Sequence, residues 1–176
     1  MKLRFEYNEN EPRCSRTYVE KAECETVLTK SPFYCDERTL IGELHIPEGV
    51  ERIQKMVFVG CHYHTFYFPG TLTCLEENLF SIGSSQCYHL PVTIIYNGTS
   101  ETFMELAKPR VESVYETDGY DHYPYYSGNS AWVTKYFAFD TDTDEITVKC
   151  ADGVTLLYGK ENRKEDEPPT IIPAEI

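Results

Sequence analysis

The sequence predicts a mainly β protein: a short solenoid of repeats with an N-terminal capping strand and a C-terminal β-meander. Three observations predict this fold. A pattern of apolar residues recurs 22 residues later, each copy opens with a short strand that ends at a proline, and short apolar runs separated by turn residues follow residue 131. The recurring pairs are Leu44 with Phe66, Ile46 with Phe68, Val50 with Leu72, Ile53 with Leu75 and Phe58 with Phe80.

The N-terminal segment predicts a strand at the edge of the fold. Residues 1–8 alternate charged side chains with Leu3, Phe5 and Tyr7, which is the period of a half-buried strand. Residues 17–40 are ambiguous. Leu28 and Phe33 nevertheless have the five-residue spacing of Ile53 and Phe58, which suggests a degenerate first repeat.

The repeats are predicted at about 41–62, 63–84 and 90–107, the third after a small insertion. Within each strand successive side chains point to opposite faces, so one set points into the core and the other outward. Proline ends the first two strands because it has no N–H to donate. A short helix is predicted over 100–107, since Phe103, Leu106 and Ala107 lie on one side of it.

The rest of the chain departs from the repeat. Residues 109–130 combine acids, tyrosines and turn formers, which predicts a long loop. Strands at 132–139, 146–150 and 154–158 form the predicted meander of residues 131–158, with Asp152-Gly153 as a hairpin turn. Residues 1–158 are thus one domain, and 159–176 a flexible acidic, proline-rich tail.

A family resemblance supports the solenoid. The run Ile46-Pro47, Val50, Ile53, Phe58 and Cys61 resembles the BspA-like leucine-rich repeats of bacterial and some protist proteins. Residues 94–99 look like that family's terminal repeat, and residues 146–153 look like the segment that often closes such arrays. The resemblance implies a repeat coil with a narrow sheet, and interaction or adhesion as its usual role. Phe66 and Phe68 replace the usual branched aliphatics, and Gly83 stands where Cys61 would recur.

Composition narrows the function classes. With 16 Lys and Arg against 29 Asp and Glu, the net charge is -13. Direct binding to nucleic acid or to an anionic membrane is therefore disfavoured, and a protein partner with a basic surface is favoured. The N-terminus resembles neither a signal peptide nor a membrane span, and seven cysteines without an export signal indicate free thiols, so we expect a cytoplasmic protein.

Two metal sites and one catalytic group are alternatives. Cys61 and His64 have chelating spacing for zinc within the set Cys61, His62, His64, Cys74, Cys87 and His89, although the repeat explains Cys61 as a small buried residue. Asp140, Asp142 and Asp144 alternate as in a calcium loop, but Glu145 replaces its glycine. Cys74 or Cys87 with His89 could form a nucleophile, without a visible orienting group. No cofactor is expected.

Recognition is the favoured function. The outward strand residues predicted to bind a protein are His45, Thr65, Tyr67 and Ile95, with Glu43 and Thr93 beside them. A second patch in the acidic loop consists of Tyr115, Glu116, Asp118, Tyr120, Asp121, Tyr123, Tyr125 and Tyr126. We therefore expect a non-catalytic protein–protein interaction module, because tyrosine supplies contact area and a hydrogen bond at low entropy cost.

One alternative is an acidic inhibitor that imitates nucleic acid, such as a phage-encoded inhibitor of a bacterial defence nuclease. Its carboxylates would be Glu116, Asp118, Asp121, Asp140, Asp142 and Asp144. A second alternative is a metal-binding or cysteine-dependent enzyme.

Overall fold

The computed structural model describes residues 1–7, 14–33, 41–76, 79–80, 91–115, 130–135, 139, 143–163 and 167–174. The protein is mainly β with mixed sheets. Its elements are β1 (Lys2–Tyr7), β2 (Cys14–Glu20), β3 (Val27–Leu28), β4 (Ile41–His45), β5 (Arg52–Ile53), β6 (His62–Phe68), β7 (Cys74–Leu75), β8 (Val92–Tyr96), α1 (Ser100–Leu106), β9 (Arg110–Tyr115), β10 (Ser130–Lys135), β11 (Glu145–Cys150), β12 (Thr155–Gly159) and β13 (Thr170–Ile172).

Among the described residues, the largest sheet has eight strands in the order β1-β2-β4-β6-β8-β11-β12-β13. From β2 to β11 neighbouring strands run parallel, whereas β1, β12 and β13 are added antiparallel. The strand predicted at the N-terminus is thus confirmed as an edge strand of this sheet.

Register within the sheets follows the apolar pattern. Leu44 pairs with Phe66, and Phe66 pairs with Ile94. A second sheet, in the order β3-β5-β7, pairs Ile53 in parallel with both Leu28 and Leu75. Residues that recur along the chain therefore lie side by side in both sheets.

The core receives the inward residues of both sheets. Leu44, Phe66 and Ile94 of the large sheet are fully buried, as are Leu28 and Ile53 of the small one. All belong to one hydrophobic cluster. Aromatic rings fill its centre, where Phe58 contacts Phe33, Phe66, Phe68 and Phe80 at centroid distances of 4.9 to 6.3 Å. The predicted inward residues of the repeat strands are confirmed.

Helix α1 confirms the short helix predicted over 100–107. Thr99 caps it, because its hydroxyl accepts a hydrogen bond from the backbone N–H of Thr102. The Asp152 carboxylate accepts hydrogen bonds from both the backbone N–H and the hydroxyl of Ser100, each at 2.8 Å. The predicted turn at Asp152-Gly153 joins β11 to β12, with Gly153 at φ 81°.

The predicted three-stranded meander is wrong. Strand β10 pairs with β9 in a separate two-stranded sheet, and β11 lies between β12 and β8 instead. Strand β11 runs parallel to β8, and parallel neighbours must be joined by a long crossover connection. The pairing of β11 with β8 therefore does not follow from proximity in sequence. The antiparallel hairpin of β11 and β12 agrees with the prediction.

Two segments expected to lack regular structure contain strands. The expected loop 109–130 includes β9 and the first residue of β10, while residues 116–129 lie outside the described part of the chain. The segment expected to be a flexible tail includes β13, which pairs with β12 through three residues. Apolar Ile171 and Ile172, both β-branched, favour that pairing.

Candidate protein-binding surface

One row of side chains crosses the outward face of the eight-stranded sheet. Because neighbours of these residues in each strand point into the core, the row itself must face away from it. Register places its members opposite one another on six successive strands. This row, here called the aromatic ladder, consists of Arg4, Tyr18, His45, Tyr67, Ile95 and Lys149.

Three rings of the aromatic ladder are stacked. The centroids of Tyr18 and His45 lie 4.6 Å apart with planes 18° apart, and those of His45 and Tyr67 lie 4.0 Å apart at 9°. The Arg4 guanidinium lies 4.2 Å from the Tyr18 centroid, which is a cation–π contact. Each ring restricts the rotamers of the next, so the free protein already holds these side chains in place.

A second row, here called the polar row, runs beside the ladder through Glu6, Arg16, Glu43, Thr65 and Thr93. Arg16 Nε lies 3.2 Å from Glu43 Oε2, and the same oxygen lies 3.3 Å from His45 Nε2. The hydrogen bond to Glu43 raises the pKa of Arg16. The partly exposed Arg16–Glu43 ion pair contributes little stability, but Glu43 orients the edge of the His45 ring.

The ladder ends at a shallow depression of about 460 Å³. Its lining includes Tyr67, Ile95 and Lys149 from the ladder, together with Glu48 and Asn97 at the ends of the strands. Glu48 Oε1 accepts hydrogen bonds from Asn97 Nδ2 at 2.7 Å and from the Gly70 N–H at 3.1 Å. Desolvation disfavours its charge, yet these hydrogen bonds and those of Thr71 outweigh that effect and lower the pKa of Glu48.

The structure brings together the predicted site residues of the sheet. His45, Tyr67 and Ile95 lie in the aromatic ladder and Thr65 in the polar row, all of them half-buried. Tyr115 is the last residue of β9, and its side chain is not described. The other predicted residues of the acidic loop lie outside the described residues: Glu116, Asp118, Tyr120, Asp121, Tyr123, Tyr125 and Tyr126.

The sequence did not predict seven contributors: Arg4, Tyr18 and Lys149 in the ladder, Glu6 and Arg16 in the polar row, and Glu48 and Asn97 at the depression. Strand β2 pairs with β4 at an offset that differs from the repeat period, as Arg16 and Glu43 are 27 residues apart. A search at a period of 22 therefore could not align Tyr18 with His45. The alternation of Tyr18 with buried Thr17 and Val19 was the available signal.

The described residues do not form the metal site or the thiol site that the alternatives require. There, no group of three or more His, Cys, Asp and Glu side chains could hold a metal ion. Cys61 is buried whereas His64 is exposed, and Cys74 is half-buried in β7. Cys87, His89, Asp140 and Asp142 lie outside the described residues.

Three of the described cysteine side chains are free thiols: Cys24, Cys74 and Cys150. Burial raises the pKa of Cys150 to about 11, so this thiol is a poor nucleophile at neutral pH.

Comparison with protein-family models, curated proteins and solved structures gives no significant match. Among the described residues, no helix has the length and apolar character that crossing a membrane requires.

Proposed function

We propose that this protein is a non-catalytic interaction module that presents the aromatic ladder to a protein partner. The single observation that carries the proposal is the outward stack of Tyr18, His45 and Tyr67. Stacked rings lose little side-chain entropy when they bind, because their rotamers are already restricted. Tyrosine is also one of the residues enriched at binding hot spots in protein interfaces.

Charge indicates the kind of partner. The net charge of the whole chain is -13, whereas the outward face itself carries Arg4, Arg16 and Lys149 as well as Glu6 and Glu43. The overall charge would attract a partner with a basic surface to this protein, and the attraction would mainly increase the association rate. The free thiols described above favour a reducing compartment such as the cytoplasm.

A leucine-rich-repeat coil of the BspA-like type is the scaffold that we propose for this surface. Its support is the in-register pairing of Leu44 with Phe66 and of Ile53 with Leu75, each pair 22 residues apart. Side-chain hydrogen bonds recur at the same interval, since the Gly49 N–H donates to Thr71 and the Gly70 N–H donates to Glu48. Such lateral contacts between successive units are what stabilises a repeat array.

The proposal is tested by capture from a lysate of the source organism, followed by calorimetry with the purified partner. Replacing His45 or Tyr67 by Ala should weaken binding about tenfold or more, the effect of losing a hot spot. Tyr7→Ala is the matched control, because Tyr7 is 56% exposed on edge strand β1 and lies outside the ladder. Equal affinities for the ladder variants and the wild type would reject the ladder as the binding surface.

The salt dependence of partner binding distinguishes this interaction module from an acidic inhibitor that imitates nucleic acid. Binding carried by stacked rings should persist when ionic strength rises, because apolar burial is not screened. Affinity that falls steeply with salt, together with competition by nucleic acid, would instead support the acidic inhibitor.

A further inference from the structure

The aromatic ladder contains a gap at Ile95. Five of its six members are aromatic or cationic, whereas Ile95 is aliphatic and lies between Tyr67 and Lys149. Neighbouring strands are about 4.8 Å apart, so the strand positions of Tyr67 and Lys149 are separated by roughly 10 Å. The depression of about 460 Å³ extends from this gap to the ends of the strands, since Tyr67, Ile95 and Lys149 line it together with Glu48 and Asn97.

A planar ring fits the chemistry on both sides of this gap. A ring above Ile95 would stack on Tyr67 at the spacing that His45 and Tyr67 already show, which is 4.0 Å. Its other face would lie within the roughly 6 Å over which the Lys149 ammonium attracts an aromatic ring. The opposite end of the ladder has this arrangement already, with Arg4 over Tyr18 and Tyr18 stacked on His45.

The rim supplies a hydrogen-bond acceptor for such a ring. Glu48 lines the depression, and its carboxylate is held in place by Asn97 and Gly70. Because those hydrogen bonds lower its pKa, Glu48 is charged at neutral pH. A charged acceptor favours a ring that carries an N–H or O–H donor.

We propose that the depression at Ile95 is the docking pocket for a tryptophan or tyrosine side chain of the protein partner, tryptophan fitting best. The inference rests on the proposed function and names what the surface recognises. A guanidinium would meet the like charge of Lys149, and an aliphatic side chain would gain nothing from that ammonium. The indole ring instead matches the Tyr67 face, the Lys149 cation and the Glu48 acceptor together.

The test is an NMR titration of the whole chain with capped single residues. N-acetyl-tryptophanamide should shift the Ile95 methyl signals upfield through its ring current and should bind with millimolar affinity. N-acetyl-leucinamide and N-acetyl-argininamide should bind at least fivefold more weakly at the same signals.

Two variants make the test specific. Ile95→Tyr places a ring of the protein itself in the gap, at a half-buried outward position, so this variant should keep the fold. It should weaken the binding of N-acetyl-tryptophanamide at least tenfold. Lys149→Gln should weaken the binding of tryptophanamide several-fold and should hardly change the binding of leucinamide. Lys108→Gln is the matched control, because Lys108 is an exposed lysine that does not line the depression.

Three results would overturn the inference: equal binding of leucinamide and tryptophanamide, stronger binding of argininamide, or unchanged tryptophanamide binding by Ile95→Tyr. The proposed function fails separately. If tryptophanamide does not bind but Tyr67→Ala still weakens the partner, the interaction function stands and the aromatic pocket is wrong. If tryptophanamide binds as expected but the partner is indifferent to His45→Ala, Tyr67→Ala and Ile95→Tyr, the pocket exists and the ladder is not the partner's site.

Discussion

Gly70 occupies a turn where no larger residue fits. A Cβ added at this position would lie 2.3 Å from the carbonyl oxygen of Asn97, which belongs to the backbone and cannot rotate away. We expect Gly70→Ala to lower the free energy of unfolding by about 2–3 kcal/mol, the usual effect of forced overpacking. Urea denaturation measures the change.

Gly159→Ala is the matched control for that substitution. The nearest atom to a Cβ at Gly159 is Asn162 Oδ1 at 3.8 Å, an ordinary contact. The free energy of unfolding should therefore change by less than about 1 kcal/mol, because alanine also restricts the unfolded chain. Similar losses for both variants would contradict the steric explanation.

Acid should destabilise the protein through carboxylates with lowered pKa values. Hydrogen bonds from Ser100 lower the pKa of Asp152, and hydrogen bonds outweigh desolvation at Glu48 and at Glu76. A carboxylate with a lowered pKa in the folded state stabilises it above the unfolded-state pKa, which is 4.5 for Glu and 3.8 for Asp. This stability is lost as pH falls through the folded-state values.

The measurement is the urea midpoint between about pH 6 and pH 3, which should decline once the pH is below about 4.5. Glu48→Gln should flatten part of that decline, because the amide has no proton to gain. Glu161→Gln, at an exposed position, should leave its shape nearly unchanged. A midpoint that is constant over this interval would refute the role of these carboxylates.

At the scale of elements, Phe58 connects the units of the core. It is fully buried and contacts Phe33, Phe66 and Phe80, which come from three different parts of the chain. Phe58→Ala should cost about 3–5 kcal/mol, because a large cavity would remain between rigid rings. Thermal or urea unfolding monitored by circular dichroism is the measurement.

Phe58→Leu should cost less than the alanine variant, because it preserves most of the buried volume. Tyr7→Ala again serves as the control, since this ring is 56% exposed and its removal opens no cavity. A loss at Phe58 no larger than at Tyr7 would show that the ring does not join the units.

The positions of the strands and of helix α1 were largely predictable from the sequence. Which strands pair with each other was predictable only within the repeats. The apolar alternation of residues 44–46 and 66–68 indicated both the strands and their inward faces, and the constant interval indicated that they pair. No such interval relates β11 to β8 or β10 to β9. These pairings depend on long connections and on packing, which the local pattern does not encode.

At the scale of the whole molecule, we expect the β11–β12 hairpin to contribute more to stability than strand β13. Strands β11 and β12 contribute Ile146, Val148, Leu156 and Tyr158, all fully buried. Strand β13 contributes Ile171 and Ile172, which are 53% and 45% exposed. A chain that ends after residue 163 should fold with a loss on the order of 1–2 kcal/mol, since little apolar area is removed.

A chain that ends after residue 144 should not fold cooperatively, because it loses those core residues and exposes the edge of β8. Denaturant titrations of both chains by circular dichroism compare them. Cooperative unfolding of the shorter chain would show that β11 and β12 are dispensable, contrary to this prediction.

The sequence by itself determined the mainly β class, the positions of most strands and helix α1, and the outward direction of His45, Tyr67 and Ile95. These follow from local rules, since alternation with a period of two and turn residues act within a few positions. Only the tertiary structure decided that Arg4, Tyr18 and Lys149 join the same row, and that the row has a gap at Ile95. Their strands are brought together by sheet pairing over long and unequal connections, so no local pattern could have shown that these three residues extend the predicted row.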